Sequence, residues 1–476
     1  MLCVFVRERG VSSVTPKILI PGIVLCSRAC LFDHFMFYVY RTNLIWNTRM
    51  KHFHPLHITN KLEGDPLQEE YTYFNNSGKT PLPPSVQQAG LNAILREANP
   101  WLEQESYTES IRTLFASLIG TEAINIAIVP STGFALTLAA HNLKRVRERL
   151  KKVLIVQDEM SSEVYCWQEM EDVELVVVPH PDLCCHYLDV QDEARFLSSP
   201  SSCCCSGGFT PLIVQTLNTH SDIDCVCLPQ VHWSDGSYID LTLISSICRQ
   251  RNIPLIVDGT QSVGIMPFHV PTIQPDVLAV SVHKWLLGPH AMSLVYVHPK
   301  HHNDWKPLDQ HERSRVAFQN EIYDAQEDNI TTDGYPNAFV NGAARLDSGG
   351  KKNPILEPMV CEALKIVTQL DLSDAQSRLK ILMDAVLVRG RAIGFSVQCG
   401  PRANHIIGLR PFNEDLRQRL NPETMVDIKN RLWKRRIYLA VRNGAFRISP
   451  WLNTTMEDVD RLMSALDEEC KINYLK

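Results

Sequence analysis

Seven short apolar runs between residues 126 and 297 constrain the fold more than any other feature of the sequence. Runs of this kind, almost free of polar side chains, are typical of strands that are buried on both faces of a sheet. Helical stretches lie between several of them, for example residues 133–149 and 241–251. Alternation of strands and helices predicts a mainly parallel α/β sheet. The predicted strands are 126–129, 153–156, 175–178, 225–228, 254–257, 277–281 and 293–297.

The chain on either side of this alternation has a different pattern. Before it, residues 84–98 and 106–118 are predicted to form two helices. After it, from about Pro358, the pattern predicts the order helix, helix, strand, strand, helix, strand, strand, helix. That order is typical of an α+β unit, so we expect a smaller C-terminal domain beside the large sheet domain.

Composition and charge exclude several classes of protein. Of the 476 residues, 45% are hydrophobic and 21% are charged, which is ordinary for a globular chain with a large core. The net charge is −6, so no basic footprint indicates nucleic acid as a partner. No apolar run reaches the roughly 20 residues that span a bilayer, so we expect no membrane partner. The 15 cysteines include adjacent runs but no C-x-x-C pair, which favours reduced thiols in a cytoplasmic protein and no metal site.

Two of the predicted strands end beside side chains that suit one cofactor. Asp258 directly follows the run 254–257, and Lys284 follows the run 277–281. Taken singly, such an Asp is about as often a turn residue, and a lone Lys is usually a solvated surface group. Together they suit pyridoxal 5′-phosphate (PLP), because the lysine amine can form a Schiff base and the carboxylate can keep the pyridine nitrogen protonated. Gln261 is predicted to reach the phenolic oxygen of the cofactor.

Small polar residues near these strand ends are candidate phosphate ligands. Ser131, Thr132 and Gly133 follow a strand and begin a helix, whose free N–H groups can bind a phosphate. Such a segment is more often a simple N-cap. Ser281 and His283, which precede Lys284, are predicted to donate hydrogen bonds to the same phosphate.

Arg447 alternates with apolar residues in the segment 445–450, which predicts a strand position that faces an interior or an interface. Its planar guanidinium group can bind a substrate carboxylate through two hydrogen bonds. A structural ion pair is an equally weighted alternative for this residue alone.

Together these segments resemble the class V aminotransferase family of fold type I PLP-dependent enzymes. The resemblance extends from about Tyr73 to Leu466. The segment 231–236 and the segment 342–349 bring the sequence nearest to the isopenicillin N epimerase-like and cysteine desulfurase-like branch. The motifs that carry the resemblance are Tyr73-Phe74-Asn75-Asn76-Ser77-Gly78, Ser131-Thr132-Gly133, Val257-Asp258-Gly259-Thr260-Gln261-Ser262, Ser281-Val282-His283-Lys284 and Arg447-Ile448-Ser449-Pro450.

The resemblance implies a role for each of the candidate residues. Lys284 would bind PLP covalently and move the α-proton of the substrate. Asp258 would pair with the pyridinium, and Arg447 and Asn76 would contact the substrate. The phosphate would be held by Ser131, Thr132, Ser281 and His283. Because members of the family are usually dimeric, we also expect a homodimer.

Two departures from the family pattern stand out. Many relatives stack a histidine on the cofactor ring, whereas the corresponding segment here offers Met160. A thioether can pack on an aromatic ring but cannot transfer a proton. Cysteine desulfurases also carry an acceptor cysteine on a mobile loop shortly before the carboxylate-binding arginine. The segment 436–447 contains no cysteine, so that loop is expected to be absent.

We therefore predict three parts of the chain. Residues 1–60 form an N-terminal extension of doubtful structure, 61–357 a large PLP-binding domain with an N-terminal arm, and 358–476 a small C-terminal domain. Basic residues dominate the start of the extension, so a mitochondrial location is the alternative to a cytoplasmic one. Translation that begins at Met50 is a further alternative.

The predicted function is that of a PLP-dependent enzyme that acts on an amino acid or a related amine through a Lys284 Schiff base. Transamination is favoured by the name of the family. A C–S lyase or an epimerase would use the same residues, so both stay open as alternatives. An alternative of another class is a non-catalytic binding relative. Such a protein would be free to lose Lys284 or Asp258, and this chain retains both.

Overall fold

The computed structural model describes residues 71–101, 106–147, 149–183, 207–316, 338–350 and 353–472. All of these residues belong to one compact unit. The predicted N-terminal extension, 1–60, lies outside the described residues. The boundary between a large and a small domain at residue 358 stays a prediction.

The strands and helices of the described residues are numbered here in chain order. The strands are β1 (Thr72–Tyr73), β2 (Ile126–Val129), β3 (Lys152–Val156), β4 (Glu174–Val178), β5 (Cys225–Pro229), β6 (Leu255–Asp258), β7 (Val277–Ser281), β8 (Ser293–Val297), β9 (Phe395–Ser396), β10 (Ile407–Pro411), β11 (Ile437–Tyr438), β12 (Ala440–Arg442) and β13 (Ala445–Ile448). The helices are α1 (Pro84–Glu97), α2 (Thr108–Ile119), α3 (Thr132–Val146), α4 (Ser161–Gln168), α5 (Phe209–Thr219), α6 (Leu241–Gln250), α7 (Val270–Ile273), α8 (Leu356–Val367), α9 (Leu372–Ala392), α10 (Glu414–Arg419), α11 (Pro422–Lys434) and α12 (Met456–Ile472).

A seven-stranded sheet with the order β2-β8-β7-β6-β5-β3-β4 lies at the centre of the fold. The ladders β3-β4, β3-β5, β5-β6 and β6-β7 are parallel, whereas β8 is antiparallel to both of its neighbours. The predicted α/β class and the mainly parallel sheet are therefore confirmed. The carboxyl ends of neighbouring parallel strands meet at one edge of the sheet, which is where such folds place their ligands.

Successive residues of these strands belong to different hydrophobic clusters. Leu278 and Val280 of β7 pack in one cluster, and Val277 and Ala279 pack in the other. Because side chains alternate between the two faces of a strand, the sheet buries apolar residues on both faces. This burial explains why the strands were visible in the sequence as continuous apolar runs.

The residues after α8 form the smaller part of the described fold. An antiparallel sheet has the order β12-β13-β10-β9, and a two-stranded parallel sheet joins β1 to β11. Asn75, just after β1, also bridges to Ser449, just after β13. The N-terminal arm is thus tied to the C-terminal strands. Helix α8 packs against α1 and α2.

A tight turn closes the hairpin formed by β12 and β13. Arg442 pairs with Ala445, so that only Asn443 and Gly444 lie between the strands. Both have positive φ angles, 46° and 70°, which is the geometry of a two-residue hairpin turn.

Among the described residues, no helix combines the length and the apolar character that a membrane span needs.

Candidate active site

Lys284 lies three residues beyond the end of β7, at the carboxyl edge of the large sheet. The residue is half-buried. Burial lowers the pKa of this amine to about 8, and the charges of Arg447 and Arg442 act in the same direction against Asp258 and Glu159. A substantial fraction of the amine is therefore neutral near pH 8, as a nucleophile must be.

Asp258 is the last residue of β6, the strand next to β7 in the sheet. Its Oδ1 atom accepts a hydrogen bond of 2.8 Å from the backbone N–H of Thr260. Burial raises the pKa of the Asp258 carboxyl, while the hydrogen bonds from Thr260 and the charge of Lys284 oppose this rise. The structure thus brings the predicted lysine and carboxylate to adjacent strand ends, in electrostatic contact with each other.

Four hydroxyl groups, named here the hydroxyl cluster, lie beside them at the N-terminus of α3. Thr132 Oγ1 is 2.5 Å from Ser281 Oγ and 3.4 Å from the hydroxyls of both Thr260 and Ser293. The backbone N–H of Ser281 donates to Thr260 Oγ1 over 3.1 Å. Hydroxyl donors at a helix N-terminus suit an anionic group such as a phosphate. Thr132 and Ser281 were predicted as phosphate ligands, whereas Thr260 and Ser293 were not.

The remaining residues of the predicted phosphate site have mixed surroundings. Ser131 is exposed and caps α3, since its Oγ accepts a hydrogen bond from Phe134 N. Gly133 is the second residue of that helix. The ring of His283 stacks on that of His290 at a centroid distance of 4.1 Å. Burial, followed by the charge of Lys284, lowers the pKa of His283 to about 3, so this imidazole is neutral at physiological pH.

Met160 and Gln261 lie near the same edge of the sheet. Met160 is the N-cap residue of α4, and 37% of its surface is exposed. Gln261 is buried, and its amide is engaged within the protein. Its Nε2 donates to Ser77 O at 3.0 Å, and its Oε1 accepts from Trp285 Nε1 at 2.9 Å. In this arrangement the Gln261 amide supports the fold around the site.

Arg447 is buried, with 2% of its surface exposed, although it carries a charge. Its Nη1 donates to the backbone oxygen of Trp233 and its Nη2 to Asn75 Oδ1, both at 3.0 Å. Burial and the nearby Arg442 lower the pKa of Arg447 to about 9. No carboxylate forms an ion pair with Arg447 among the described residues, which favours the predicted role in binding an external anion over a structural ion pair.

Asn75 was missed by the sequence interpretation, which selected its neighbour Asn76. Asn76 is buried and donates from Nδ2 to Ser449 O over 2.9 Å. Asn75 follows β1 directly and contacts the guanidinium group of Arg447. A turn begins directly after Asn75, and the motif alone did not indicate which of the two asparagines faces Arg447.

A buried network centred on His232 adjoins the site and was also missed. His232 Nδ1 lies 3.6 Å from Asp235 Oδ1, and His232 Nε2 lies 3.9 Å from Glu159 Oε2. Burial opposes protonation, but Asp235 and Glu159 raise the pKa of His232 to about 9. Burial raises the pKa of Glu159 to about 7.

His180, His232 and Asp235 have ligand atoms within 4.8 Å of one another, a spacing that a metal ion could bridge. Arg410 Nη2, however, lies 3.5 Å from Asp235 Oδ2 and already supplies a cation there.

The sequence profile of the family described as "Aminotransferase class-V" matches residues 72–184 and 212–339, which together make up half of the chain. The matched segments contain the hydroxyl cluster, Asp258 and Lys284. The chain belongs to the class V aminotransferase family. Membership identifies PLP as the cofactor and the chain as a PLP-dependent enzyme, with the type of reaction left open. The strand-end lysine and carboxylate and the hydroxyl cluster fit this cofactor.

Relatives within the family carry different names. The "uncharacterized aminotransferase YcbU" of Bacillus subtilis is 24% identical over 377 residues, which cover 79% of this chain and 87% of that protein. Isopenicillin N epimerase of Streptomyces clavuligerus is 23% identical over 391 residues, covering 79% of this chain and 86% of that protein.

Among solved structures, the apo cysteine desulfurase of Thermococcus onnurineus NA1 superimposes with a TM-score of 0.67. The two sequences are 17% identical, and the match covers 85% of this chain and 96% of that one. This likeness confirms the fold type I architecture. The predicted resemblance to the epimerase-like and desulfurase-like branch is confirmed as well.

Proposed function

We propose that the chain is an aminotransferase-like PLP enzyme that acts on an α-amino acid, with Lys284 as the covalent attachment site of the cofactor. The observation that carries the proposal is the adjacency of Lys284 and Asp258 at the ends of β7 and β6. A lysine with a lowered pKa suits attack on the cofactor aldehyde, and a buried carboxylate suits the ring nitrogen.

The chain supplies a distinct set of groups for each end of the cofactor. The hydroxyl cluster and the N–H groups that begin α3 would hold the phosphate. Met160, which follows β3, would lie against the ring, and His283 would act as a neutral donor or acceptor next to Lys284. When bound, PLP withdraws electrons from the α-carbon of the substrate. The Lys284 amine would then accept the α-proton and return it.

Arg447 would bind the α-carboxylate of the substrate. The side chain is already oriented by Trp233 O and Asn75 Oδ1, so little conformational entropy is lost when the carboxylate binds. The cost of burying this cation without a carboxylate partner would be offset by the substrate. Asn76 was predicted as a second substrate contact. Since its Nδ2 is engaged with Ser449 O, we assign that contact to Asn75 instead.

Two other reactions of the same residues remain candidates. Return of the proton to the opposite face of the α-carbon gives epimerisation, and loss of a β-substituent gives C–S lysis. A desulfurase that passes sulfur to a loop cysteine is disfavoured, because Asn443 and Gly444 close the hairpin before Arg447 as a two-residue turn. The lyase, which needs no acceptor cysteine, is therefore the runner-up.

One experiment separates these reactions. The purified protein is incubated with PLP, and its visible spectrum is recorded before and after single amino acids are added. Conversion of the bound cofactor to pyridoxamine phosphate together with release of a 2-oxo acid is expected for transamination. Ammonia or sulfide release without that conversion indicates the lyase, and loss of optical rotation alone indicates the epimerase. A protein that binds no PLP would contradict the proposal.

A further inference from the structure

Glu163 is an ionisable residue that lies in the interior without an evident structural task. It belongs to the first turn of α4, and none of its surface is exposed. Neither of its carboxyl oxygens accepts a hydrogen bond from a donor group of the described residues. Burying a carboxyl group whose oxygens accept no hydrogen bond costs free energy, so its presence in the interior calls for an explanation.

The groups that face Glu163 are acidic or neutral. Asp258 at the end of β6 interacts with it directly, and Glu159 and Cys166 lie on its own segment. Cys227 faces it from β5. Among the described residues, no cation contacts the carboxyl oxygens of Glu163. Burial, reinforced by the charges of Glu159 and Asp258, raises the pKa of Glu163 well above its usual range.

A protonated carboxyl is a hydrogen-bond donor, and Asp258 has room for one more donor. Asp258 Oδ1 already accepts from Thr260 N. A hydrogen bond donated by Glu163 of α4 would still leave part of the Asp258 carboxylate free to face the cofactor site. The interaction with Glu163 also acts to lower the pKa of Asp258, as a hydrogen bond donated to a carboxylate does.

We propose that Glu163 is a positioning residue that donates a hydrogen bond to Asp258 and so holds the Asp258 carboxylate where it would meet the pyridine nitrogen of PLP. The inference rests on the proposed function and extends it, since it explains how a buried aspartate remains an anion. The single proton shared between the two carboxyls takes the place of a counter-cation.

Two variants of matched size distinguish this role from simple packing. Glu163→Gln keeps a neutral donor at the same place, whereas Glu163→Leu fills the space without a donor. The dissociation constant of PLP is measured by fluorescence titration of the cofactor-free protein, and the unfolding midpoint is recorded alongside. Glu163→Leu is expected to weaken PLP binding by about tenfold or more, the size of a lost hydrogen bond to a charged group. Glu163→Gln is expected to restore most of the affinity.

An infrared measurement supplies a readout that does not depend on the cofactor. The cofactor-free wild-type protein is expected to show the carbonyl stretch of a protonated carboxylic acid at pH 8, and both variants are expected to lack it. In an Asp258→Asn background, Glu163→Leu is expected to have little further effect on PLP affinity, because its only target is gone.

The PLP affinities of the wild-type protein and the two variants distinguish failure of this inference from failure of the proposed function. A wild-type protein that binds PLP, together with a Glu163→Leu variant of equal affinity, overturns the inference and leaves the proposed function intact. A Glu163→Gln variant as weak as Glu163→Leu also overturns it, because a donor alone would then not suffice. A wild-type protein that binds no PLP overturns the proposed function and this inference together.

Discussion

Arg447 Nη2 donates a hydrogen bond to the Oδ1 atom of Asn75, 3.0 Å away, and so joins the C-terminal strand β13 to the N-terminal arm. The contact depends on two further links between these segments. Strand β1 pairs in parallel with β11, and Asn75 bridges to Ser449. The arginine that we propose to bind the substrate is therefore held by an asparagine that lies 372 positions earlier in the chain.

This contact predicts that substitutions of Arg447 and Asn75 weaken substrate binding more than they slow the chemical step. Arg447→Gln is expected to lower kcat/KM for amino acid substrates by about ten- to a hundredfold, mainly through KM, since a charge-assisted hydrogen bond is lost. Asn75→Ala should cause a smaller loss in the same direction, because Arg447 remains but is less well oriented. Steady-state kinetics test both variants against Arg417→Gln, an exposed arginine on α10. Equal kinetics for Arg447→Gln and the control would exclude the carboxylate role.

The lowered pKa of Lys284 predicts the pH dependence of cofactor attachment. The rate at which the cofactor-free protein gains the absorption of lysine-bound PLP should rise with pH and level off above about 8, because the neutral amine is the nucleophile. Arg442 is one of the charges that lower this pKa, so Arg442→Gln should move the profile to higher pH. Arg417→Gln serves again as the control. If the pH profile of Arg442→Gln matched that of the wild-type protein, the charge of Arg442 would not influence the pKa of Lys284.

The hydroxyl cluster predicts where phosphate affinity is lost. Thr260→Val and Ser281→Ala each remove one hydroxyl and should weaken PLP binding by about three- to tenfold, at the scale of one net hydrogen bond. The affinity for pyridoxal, which lacks the phosphate, should change much less. Fluorescence titration with both ligands measures the difference, and Thr219→Val on the exposed end of α5 is the matched control. Parallel losses for both ligands would indicate general damage to the site.

The raised pKa of His232 predicts a pH-dependent stability. A histidine whose pKa rises from 6.5 to about 9 on folding stabilises the protein fully below pH 6.5, and this contribution is lost as the pH rises through 9. Its size is about 1–3 kcal/mol on the linkage scale. Chemical unfolding of His232→Gln should therefore lack the decline between these pH values. His298→Gln is the control, since burial lowers the pKa of His298 instead of raising it.

Much of the large sheet could be predicted because each strand carries its own signal. The strands Ile126–Val129, Val277–Ser281 and Ser293–Val297 lie as predicted, and the others differ by about one residue at an end. Burial on both faces makes such strands continuously apolar. Helix ends were less exact, and the helix predicted over 133–149 spans Thr132–Val146. Its end depends on capping and tertiary contacts rather than on periodicity.

The parts of the site that escaped prediction depend on contacts between distant segments. His232 meets Glu159 across 73 positions, and Asn75 meets Arg447 across 372. Gln261 was predicted to reach the cofactor, but its amide is engaged with Ser77 and Trp285, which no local pattern signals. Residues at strand ends, such as Asp258 and Lys284, were predictable because the edge of a parallel sheet gathers them wherever they lie in the sequence.

The most direct test of the account is to locate the covalent bond between the protein and its cofactor. The protein is loaded with PLP, reduced with borohydride and digested, and the modified peptide is identified by mass spectrometry. A single pyridoxyl group is expected on Lys284, absent from Lys284→Ala and retained in Lys365→Ala, which alters an exposed lysine of α8. A pyridoxyl group on another lysine, or none in the loaded wild-type protein, would contradict it.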